Sequence, residues 1–232
     1  MSSWKQALEL QLSAPHAPGA LTLGVLSRAA SLARHAPIPD TTLHAWIKDA
    51  TARARLVRVS RGVYLNRFTT PSGRLADAVA HVRRDAVVSL HSALDDAGAL
   101  NNPPVGVTAV LPLDPGSTRP RVGRVQTVAG AMHFRAIPRR ILEAGEIEDR
   151  LDLDRGSSHP RATPEKALLD WLYLARSPRS TLAPPAVHDV EHGELNKKRL
   201  MRLARAMKLE ETLAEWLRGE FFEKRRVAHR AR

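Results

Sequence analysis

Two short runs of this sequence combine side chains that catalysis could use. In the first, His188 and His192 flank Glu191 in an H-x-x-E-H pattern, which can present two histidines to a zinc ion. Such a site needs both histidines on one turn of a stable helix, and it needs a third protein ligand. The run lies between Pro184-Pro185 and Gly193, which favour a loop. We therefore predict a solvated loop here and no metal site.

The second run is acidic. Asp152 and Asp154 precede Gly156-Ser157, and nucleotidyltransferases use paired carboxylates of this kind to hold divalent cations. In those enzymes, however, the Gly-Ser pair comes before the acidic pair and a spacer separates them. Here the order is reversed and one residue lies between the two pairs. An ordinary acidic turn is the better interpretation of so short a motif.

Other catalytic arrangements are missing from the sequence. His91 lies beside Ser92 and Asp95, but the three are neighbours on one predicted helix. There is no Walker A run and no G-x-G-x-x-G fingerprint. The chain has no cysteine, which excludes a disulfide framework and thiolate chemistry. The sequence thus predicts a protein without enzymatic activity, cofactor or metal.

The charge of the chain favours a polyanionic partner. The formal net charge is +12, and nucleic acid is the commonest partner of so basic a protein. Residues 1–70 carry 9 basic and 3 acidic side chains, residues 71–160 carry 11 of each, and residues 161–232 carry 16 and 10. We infer that the neutral middle is scaffold or faces protein, whereas both ends meet a polyanion.

Residues 41–66 are the stretch in which the spacing of apolar residues, the charge and the turn residues most consistently indicate one structure. Asp40 is the expected N-cap of a helix whose apolar residues form one stripe. That stripe contains Leu43, Ile47, Ala50 and Ala54. From residue 57 the period changes to two on both sides of an Arg61-Gly62 turn, which predicts a β-hairpin.

A helix, a turn, a second helix and a hairpin predict a winged helix-turn-helix. Six basic side chains lie between residues 41 and 67, opposed by Asp49 alone. The alternative is a basic face that is only solvated, but such faces normally mix both signs of charge. The candidate DNA-contacting residues are Thr41, Thr42, His44, Lys48, Arg53, Arg55, Arg58 and Arg61.

Two helices are expected before this segment. Trp4, Leu8 and Leu12 recur at helical spacing and predict the first. Thr22 is the expected N-cap of the second, which runs through His35. The residues expected to face inward from the second helix are Val25, Leu26, Ala29 and Leu32.

The fold class predicted for the whole chain is α+β, with a mixed α/β domain and a helical C-terminus after the winged helix. Residues 69–73 are the expected linker, followed by a helix at about 74–84 and another that is capped near Ser89 and ends at Gly98. Strands are expected at 105–112, 124–130 and 132–138, and a further helix begins with Thr163 as N-cap and Pro164 at its first position. The predicted domains are 1–68 and 74–222, with a basic tail at 223–232.

One amphipathic helix near the C-terminus has a strongly basic face. The face lies opposite Leu200, Leu203 and Met207, and it could contact DNA beside an operator, or the acidic surface or RNA substrate of a toxin. A plain solvated face is the alternative. The residues of this C-terminal basic face are Lys197, Lys198, Arg202 and Arg205.

Four segments, taken in order, resemble the AbiEi-type antitoxins of bacterial toxin-antitoxin (abortive-infection) operons. They are the hairpin RLVRVSRGVYLN after a short helix, the run SLHSALDDAGALNNPP, the β segment and TPEKALLDWLYLA. The resemblance covers roughly residues 20–175. It implies an N-terminal winged helix that represses its own operon at inverted repeats, and a C-terminal α/β domain that counteracts a nucleotidyltransferase toxin. Family members usually have a glycine before the hairpin, where this chain has Ala54-Arg55.

We therefore predict an antitoxin and transcriptional repressor whose partners are double-stranded operator DNA and a cognate nucleotidyltransferase toxin. No apolar run is long enough to cross a membrane and no signal-peptide segment is evident, so we expect a cytoplasmic protein. Inverted repeats are compatible with a dimer on DNA, and the oligomeric state and direct contact with the toxin stay open. One alternative is a winged-helix regulator of unrelated genes with a ligand-sensing or dimerisation domain. Another is an RNA-binding or toxin-modifying protein that works through its basic C-terminal helix.

Overall fold

The computed structural model describes residues 4–116, 118–144, 159–177, 180 and 182–220. The acidic run at 152–157 and the basic tail at 223–232 lie outside the described residues. The chain divides into two compact units, of which the first contains Met1–Asp85 and Arg124–Met132, and the second contains Ala86–Gly123 and His133–Arg232. Among the described helices, none has the length and apolarity needed to cross a bilayer.

The first unit begins with helices and short strands in alternation. Its elements are α1 (Trp4–Leu12), β1 (Ala20–Thr22), α2 (Leu23–Arg34), α3 (Asp40–Ala52), β2 (Leu56–Ser60), β3 (Val63–Asn66), a 3-10 helix (Leu75–Ala78) and α4 (Val79–Val82). The three strands form an antiparallel sheet in the order β1-β3-β2. The hairpin of β2 and β3 confirms the predicted strands, whereas β1 was not predicted.

Caps and apolar stripes explain where the helices of the first unit begin and which sides they bury. Thr22 caps α2 as predicted, since its hydroxyl accepts a hydrogen bond from the Val25 amide at 3.3 Å. Leu26 and Ala29 are buried, but the prediction for Leu32 was wrong because that side chain is 68% exposed. The core of the unit consists mainly of Leu8, Leu12, Leu21, Leu26, Leu43, Trp46, Ile47, Ala50 and Leu56.

Helix α3 differs from its prediction at both ends. Pro39 occupies the cap position without a side-chain hydrogen bond, and Asp40 is the first helical residue, so the prediction of Asp40 as N-cap was wrong. Leu43, Ile47 and Ala50 are buried as predicted. Ala54 lies beyond the helix, is exposed and has a left-handed backbone (φ 56°), so it does not extend the stripe.

The expected linker at 69–73 is packed against the first unit. Asn66 is fully buried, and its side-chain amide donates to the Leu12 carbonyl at 2.9 Å. The backbone carbonyl of Asn66 accepts from the Gly73 amide at 2.7 Å. A Cβ on Gly73 would lie 1.9 Å from the Gly19 carbonyl oxygen, so only glycine fits there. The first unit therefore runs on to Asp85 instead of ending at residue 68.

The second unit is built around one buried helix. The elements that follow residue 85 are β4 (Val87–Val88), α5 (His91–Asp96), β5 (Val107–Leu113), β6 (Gly123–Thr127), β7 (Gly130–Pro138), α6 (Arg139–Leu142), α7 (Pro164–Arg176), α8 (Lys197–Ala206) and α9 (Glu210–Leu217). Strands β4 to β7 form a second sheet in the order β4-β5-β7-β6, although most of β6 and the start of β7 are grouped with the first unit. The observed strands confirm the three predicted ones to within a few residues.

Helix α7 starts as predicted and packs on nearly all sides. Thr163 is its N-cap and Pro164 its first residue. Its apolar residues pack with α5, α8 and α9 in one core. The cap expected near Ser89 was wrong, because α5 begins at His91 and the Ser89 hydroxyl instead donates to Asp170 at 2.8 Å. The helix expected at 74–84 is a 3-10 turn followed by the single turn of α4.

Candidate nucleic-acid interface

The outward face of α3 combines polar side chains with small ones. Leu43, Trp46, Ile47 and Ala50 are buried, which fixes the orientation of the helix. At 100° per residue the centre of the opposite face is formed by four exposed residues. These are Thr41, Ala45, Lys48 and Ala52, and the exposed side chains of His44 and Thr42 lie at the two edges of this face.

The two alanines were not among the sequence candidates. Ala45 and Ala52 are exposed and sit between or beyond the polar residues of the face. Because their side chains are single methyl groups, the helix backbone can approach a partner surface closely there. Positions seven residues apart lie on one helix face, so the sequence shows that the two alanines share a face. That this face is the exposed one becomes clear only once the buried residues of the helix are known.

The hairpin places two exposed arginines near its turn. Arg58 lies opposite Tyr64 across the strands, and a bulge between Arg58 and Ser60 precedes the turn. The Arg58 Nε donates weakly to the Ser60 carbonyl at 3.4 Å. Arg61 is exposed at the turn itself, where Gly62 has the left-handed backbone (φ 73°) that the turn requires.

An aromatic pair joins α3 to the segment after the hairpin. The Trp46 and Phe68 rings are stacked with centroids 6.2 Å apart and planes at 11°. The exposed Arg55 guanidinium lies 5.7 Å from the Phe68 ring centroid, within the range of a cation-π contact. This contact holds Arg55 at the base of the hairpin with its charge still facing solvent.

Arg53 differs from the other candidates because carboxylates of the same unit bind it. Its Nη2 lies 2.9 Å from Glu9 Oε1 and 3.0 Å from Asp49 Oδ2. The hydrogen bond to Glu9, followed by the charge of Asp49, raises the pKa of Arg53. Arg53 thus connects α3 to α1, and a phosphate would have to compete with two carboxylates for it. Sequence reasoning missed this because Glu9 lies 44 residues away.

The C-terminal basic face is exposed as predicted and belongs to the second unit. Helix α8 begins at the Asn196 cap, whose side chain accepts from the Arg199 amide at 3.0 Å. Leu200, Leu203 and Ala204 are buried on its inner side. Lys197, Lys198, Arg202 and Arg205 are all exposed, and Arg205 pairs with Glu210 at 3.1 Å.

The two histidines of the H-x-x-E-H run lie on separate short turns. His188 is 87% exposed, whereas the His192 Nε2 lies 3.1 Å from the Val187 carbonyl oxygen. Within the ranges that the structure describes, no three potential metal ligands cluster. The predicted loop is therefore a pair of short turns, with His192 packed near Trp216.

His91 is a packing residue of the second unit. Its ring lies 3.7 Å from the Trp171 ring, centroid to centroid. Burial, assisted by the nearby charges of His133 and Arg135, lowers the pKa of His91 to about 4. The Ser92 hydroxyl accepts from the Thr108 amide at 2.8 Å instead of facing a base. These contacts support the interpretation of His91, Ser92 and Asp95 as helical neighbours.

Comparison with known proteins identifies a fold and no family. No family model matches the chain, and no curated protein matches it. The crystal structure of the Rv2827c protein from Mycobacterium tuberculosis is similar to this chain, with a TM-score of 0.52 and 19% identity. The match covers 91% of this chain and 78% of that one. At this identity the likeness shows the fold alone, which is a mixed arrangement of helices and strands of the α+β class.

Proposed function

We propose that this protein is a DNA-binding repressor that reads its operator with a winged helix-turn-helix and acts as the antitoxin of a bacterial toxin-antitoxin pair. The observation that carries the DNA-binding part is the outward face of α3, which exposes Thr41, His44 and Lys48 around two alanines. A helix of this kind fits the major groove, where polar side chains can read base edges. The proposal assigns no catalytic activity to the chain.

The order of elements supports the same proposal. Helix α2, helix α3 and the β2-β3 hairpin follow one another, as the helices and wing of such a reader do. Arg58 and Arg61 are exposed on the hairpin, and no carboxylate is found paired with either arginine among the residues described. A wing with two such cations can bind phosphates or enter the minor groove without reading the full base sequence.

The antitoxin part rests on the sequence resemblance, which links the hairpin and α7 segments to AbiEi-type proteins. The C-terminal basic face gives the second unit a surface for a toxin or for its RNA substrate. Regulation of unrelated genes remains the competing proposal. The presence of a nucleotidyltransferase gene beside this one would favour the antitoxin.

The helix is tested by measuring affinity for the DNA upstream of the gene and for random DNA of equal length. His44→Ala and Lys48→Ala should each lower the ratio of the two affinities, since one good base contact contributes about 1–3 kcal/mol of discrimination. Arg84→Ala is the control, because that side chain is 96% exposed and belongs to neither α3 nor the hairpin. If the ratio stays at the wild-type value in both helix variants, α3 does not recognise the DNA sequence.

The wing is tested by the salt dependence of binding. The double variant Arg58→Ala and Arg61→Ala should weaken binding to all sequences alike and reduce the slope of log affinity against log salt by about 1–2. Arg53→Ala is the matched control, since its guanidinium is bound to Glu9 and Asp49. It should leave the slope near that of the wild type. An unchanged slope in the double variant would show that the hairpin does not contact DNA.

A further inference from the structure

The second unit contains a cavity of about 770 Å³ at the ends of α7 and α8. Its apolar part includes the buried Ile141 and Met207 and the half-buried Tyr173. Three exposed cations, Arg140, Arg176 and Lys208, line the same cavity, and none of the described residues that line it carries a carboxylate. The volume lies within the range of about 300–1,000 Å³ that is usual for small-molecule sites.

The positive charge of these three cations exceeds the negative partial charge of the two helix ends. Helices α7 and α8 both end at this cavity, and each C-terminus carries a partial charge of about −0.5. The Arg176 Nη1 donates weakly at 3.4 Å to the carbonyl of Lys208, the residue that follows the C-cap of α8. Among the described lining residues, three full positive charges against two half charges leave the cavity positive, and it therefore favours an anion.

The backbone at Lys208 determines which substitution can test the cavity. Lys208 follows the C-cap of α8 and has a left-handed backbone (φ 57°), a conformation that glycine adopts most readily. The Lys208 amide donates to the Arg205 carbonyl at 3.0 Å, so the fold determines this conformation. His35, Ala54, Asp85 and Leu90 share this left-handed backbone, so the conformation does not itself indicate a ligand, but it allows Lys208 to be replaced by glycine without strain.

We propose that this cavity binds a phosphorylated small molecule with a planar apolar part, of the nucleotide class. Arg140, Arg176 and Lys208 would hold the phosphates, and the ring of Tyr173 would contact the base. Guanidinium and ammonium groups are the usual protein partners of phosphate oxygens. Such a site would make the second unit a ligand-binding domain, whether or not the first unit reads DNA.

The test is calorimetric titration of the full-length protein, without DNA, with adenosine triphosphate, inorganic triphosphate and adenosine. Adenosine triphosphate should bind at least about tenfold more tightly than either of the other two, because only it engages both parts of the cavity. Equal affinity for the two triphosphates would overturn the nucleotide class. Absence of binding at millimolar concentration would overturn the site.

Lys208→Gly separates binding from folding. The variant removes one cation and places glycine where the backbone favours it, so the melting temperature should stay the same or rise. The affinity for adenosine triphosphate should fall by about tenfold, and Arg140→Ala should act similarly. Lys208→Arg should retain most of the affinity, because it keeps the charge.

Two controls exclude general attraction of an anion to a basic protein. Arg84→Ala removes an exposed cation outside the cavity and should not change the affinity. The double variant Lys48→Ala and Arg58→Ala removes cations of the first unit and should also have no effect. If the first-unit variant loses binding and Lys208→Gly keeps it, the nucleotide binds elsewhere and the proposal is wrong.

Discussion

Lys166 and Asp170 form an ion pair on α7, and both side chains are fully buried. The Ser89 hydroxyl donates to the second carboxylate oxygen of Asp170 at 2.8 Å. Burial raises the pKa of Asp170, while the Lys166 ammonium and the Ser89 hydroxyl act in the opposite direction. Transfer of a charged side chain from water to the protein interior is unfavourable. A buried charge is therefore tolerated only when its partner of opposite charge is also present.

Removal of Lys166 alone should therefore be severely destabilising. Lys166→Met leaves the Asp170 carboxylate buried without its cation, and we expect a loss of about 3–5 kcal/mol in the free energy of unfolding at pH 7. Without the ammonium the folded-state pKa of Asp170 rises further above its unfolded value. The folded variant then binds a proton more tightly than the unfolded chain, so its stability should increase as the pH is lowered from 7 towards 5. Urea unfolding at both pH values measures this.

The double variant Lys166→Met and Asp170→Leu is the control for the pair. It removes both charges and keeps an apolar side chain at each position, so most of the lost stability should return. A double variant as unstable as Lys166→Met would show that packing, and not the uncompensated carboxylate, causes the loss.

At the scale of elements, the end of α3 determines how the hairpin begins. The Ala54 amide donates to the Thr51 carbonyl at 3.0 Å, and the Arg55 amide donates to the Ala50 carbonyl at 2.9 Å. Ala54 itself has a left-handed backbone (φ 56°), which reverses the chain into β2. Glycine adopts this conformation most readily, and here an alanine adopts it.

Ala54→Gly should consequently stabilise the protein. A left-handed backbone is unfavourable by about 1–2 kcal/mol for a residue with a Cβ, and the extra freedom of glycine in the unfolded chain offsets about half of this. We expect a gain of about 0.5–1 kcal/mol, measured as a higher urea midpoint with an unchanged slope.

Ala52→Gly is the matched control for this helix end. Ala52 is the last residue of α3 and is also exposed, but it has an ordinary helical backbone. The same substitution should therefore lower stability by up to about 1 kcal/mol. If both variants lose stability equally, the strain at Ala54 has no energetic consequence.

At the scale of the whole molecule, basic surfaces occur in both units. The DNA-facing candidates lie on α3 and the β2-β3 hairpin of the first unit, whereas the C-terminal basic face lies on α8 of the second. Under the proposed function, repression and protection against the toxin should therefore depend on different residues.

Charge reversal in the full-length protein tests this separation. Lys197→Glu, Lys198→Glu and Arg202→Glu together should impair growth rescue of cells that express the toxin more than they impair repression of a promoter reporter. Arg205 is left unchanged because it pairs with Glu210. Arg58→Ala with Arg61→Ala should show the opposite pattern. If the two activities fall together in every variant, repression of the toxin gene alone is the better account of protection.

The sequence by itself determined the elements whose signals lie within a few residues. The Thr22 and Thr163 caps, the stripe of Leu43, Ile47 and Ala50 on α3 and the Arg61-Gly62 turn were all predicted and are all observed. Each depends on contacts between neighbours in the chain, such as a hydroxyl and an amide three residues on, or side chains on one face of a helix. The exposure of the basic faces follows from the same local patterns.

Only the tertiary structure decided how distant segments meet. The pairing of β1 with β3, the pairing of Arg53 with Glu9 and the packing of Gly73 on Gly19 join residues far apart in the sequence. The buried contact between Ser89 and Asp170 spans 81 residues. The local spacing of apolar residues does not show which distant group will form a hydrogen bond with a polar atom that is buried away from water. Burial demands such a partner, and the three-dimensional arrangement alone determines which residue supplies it.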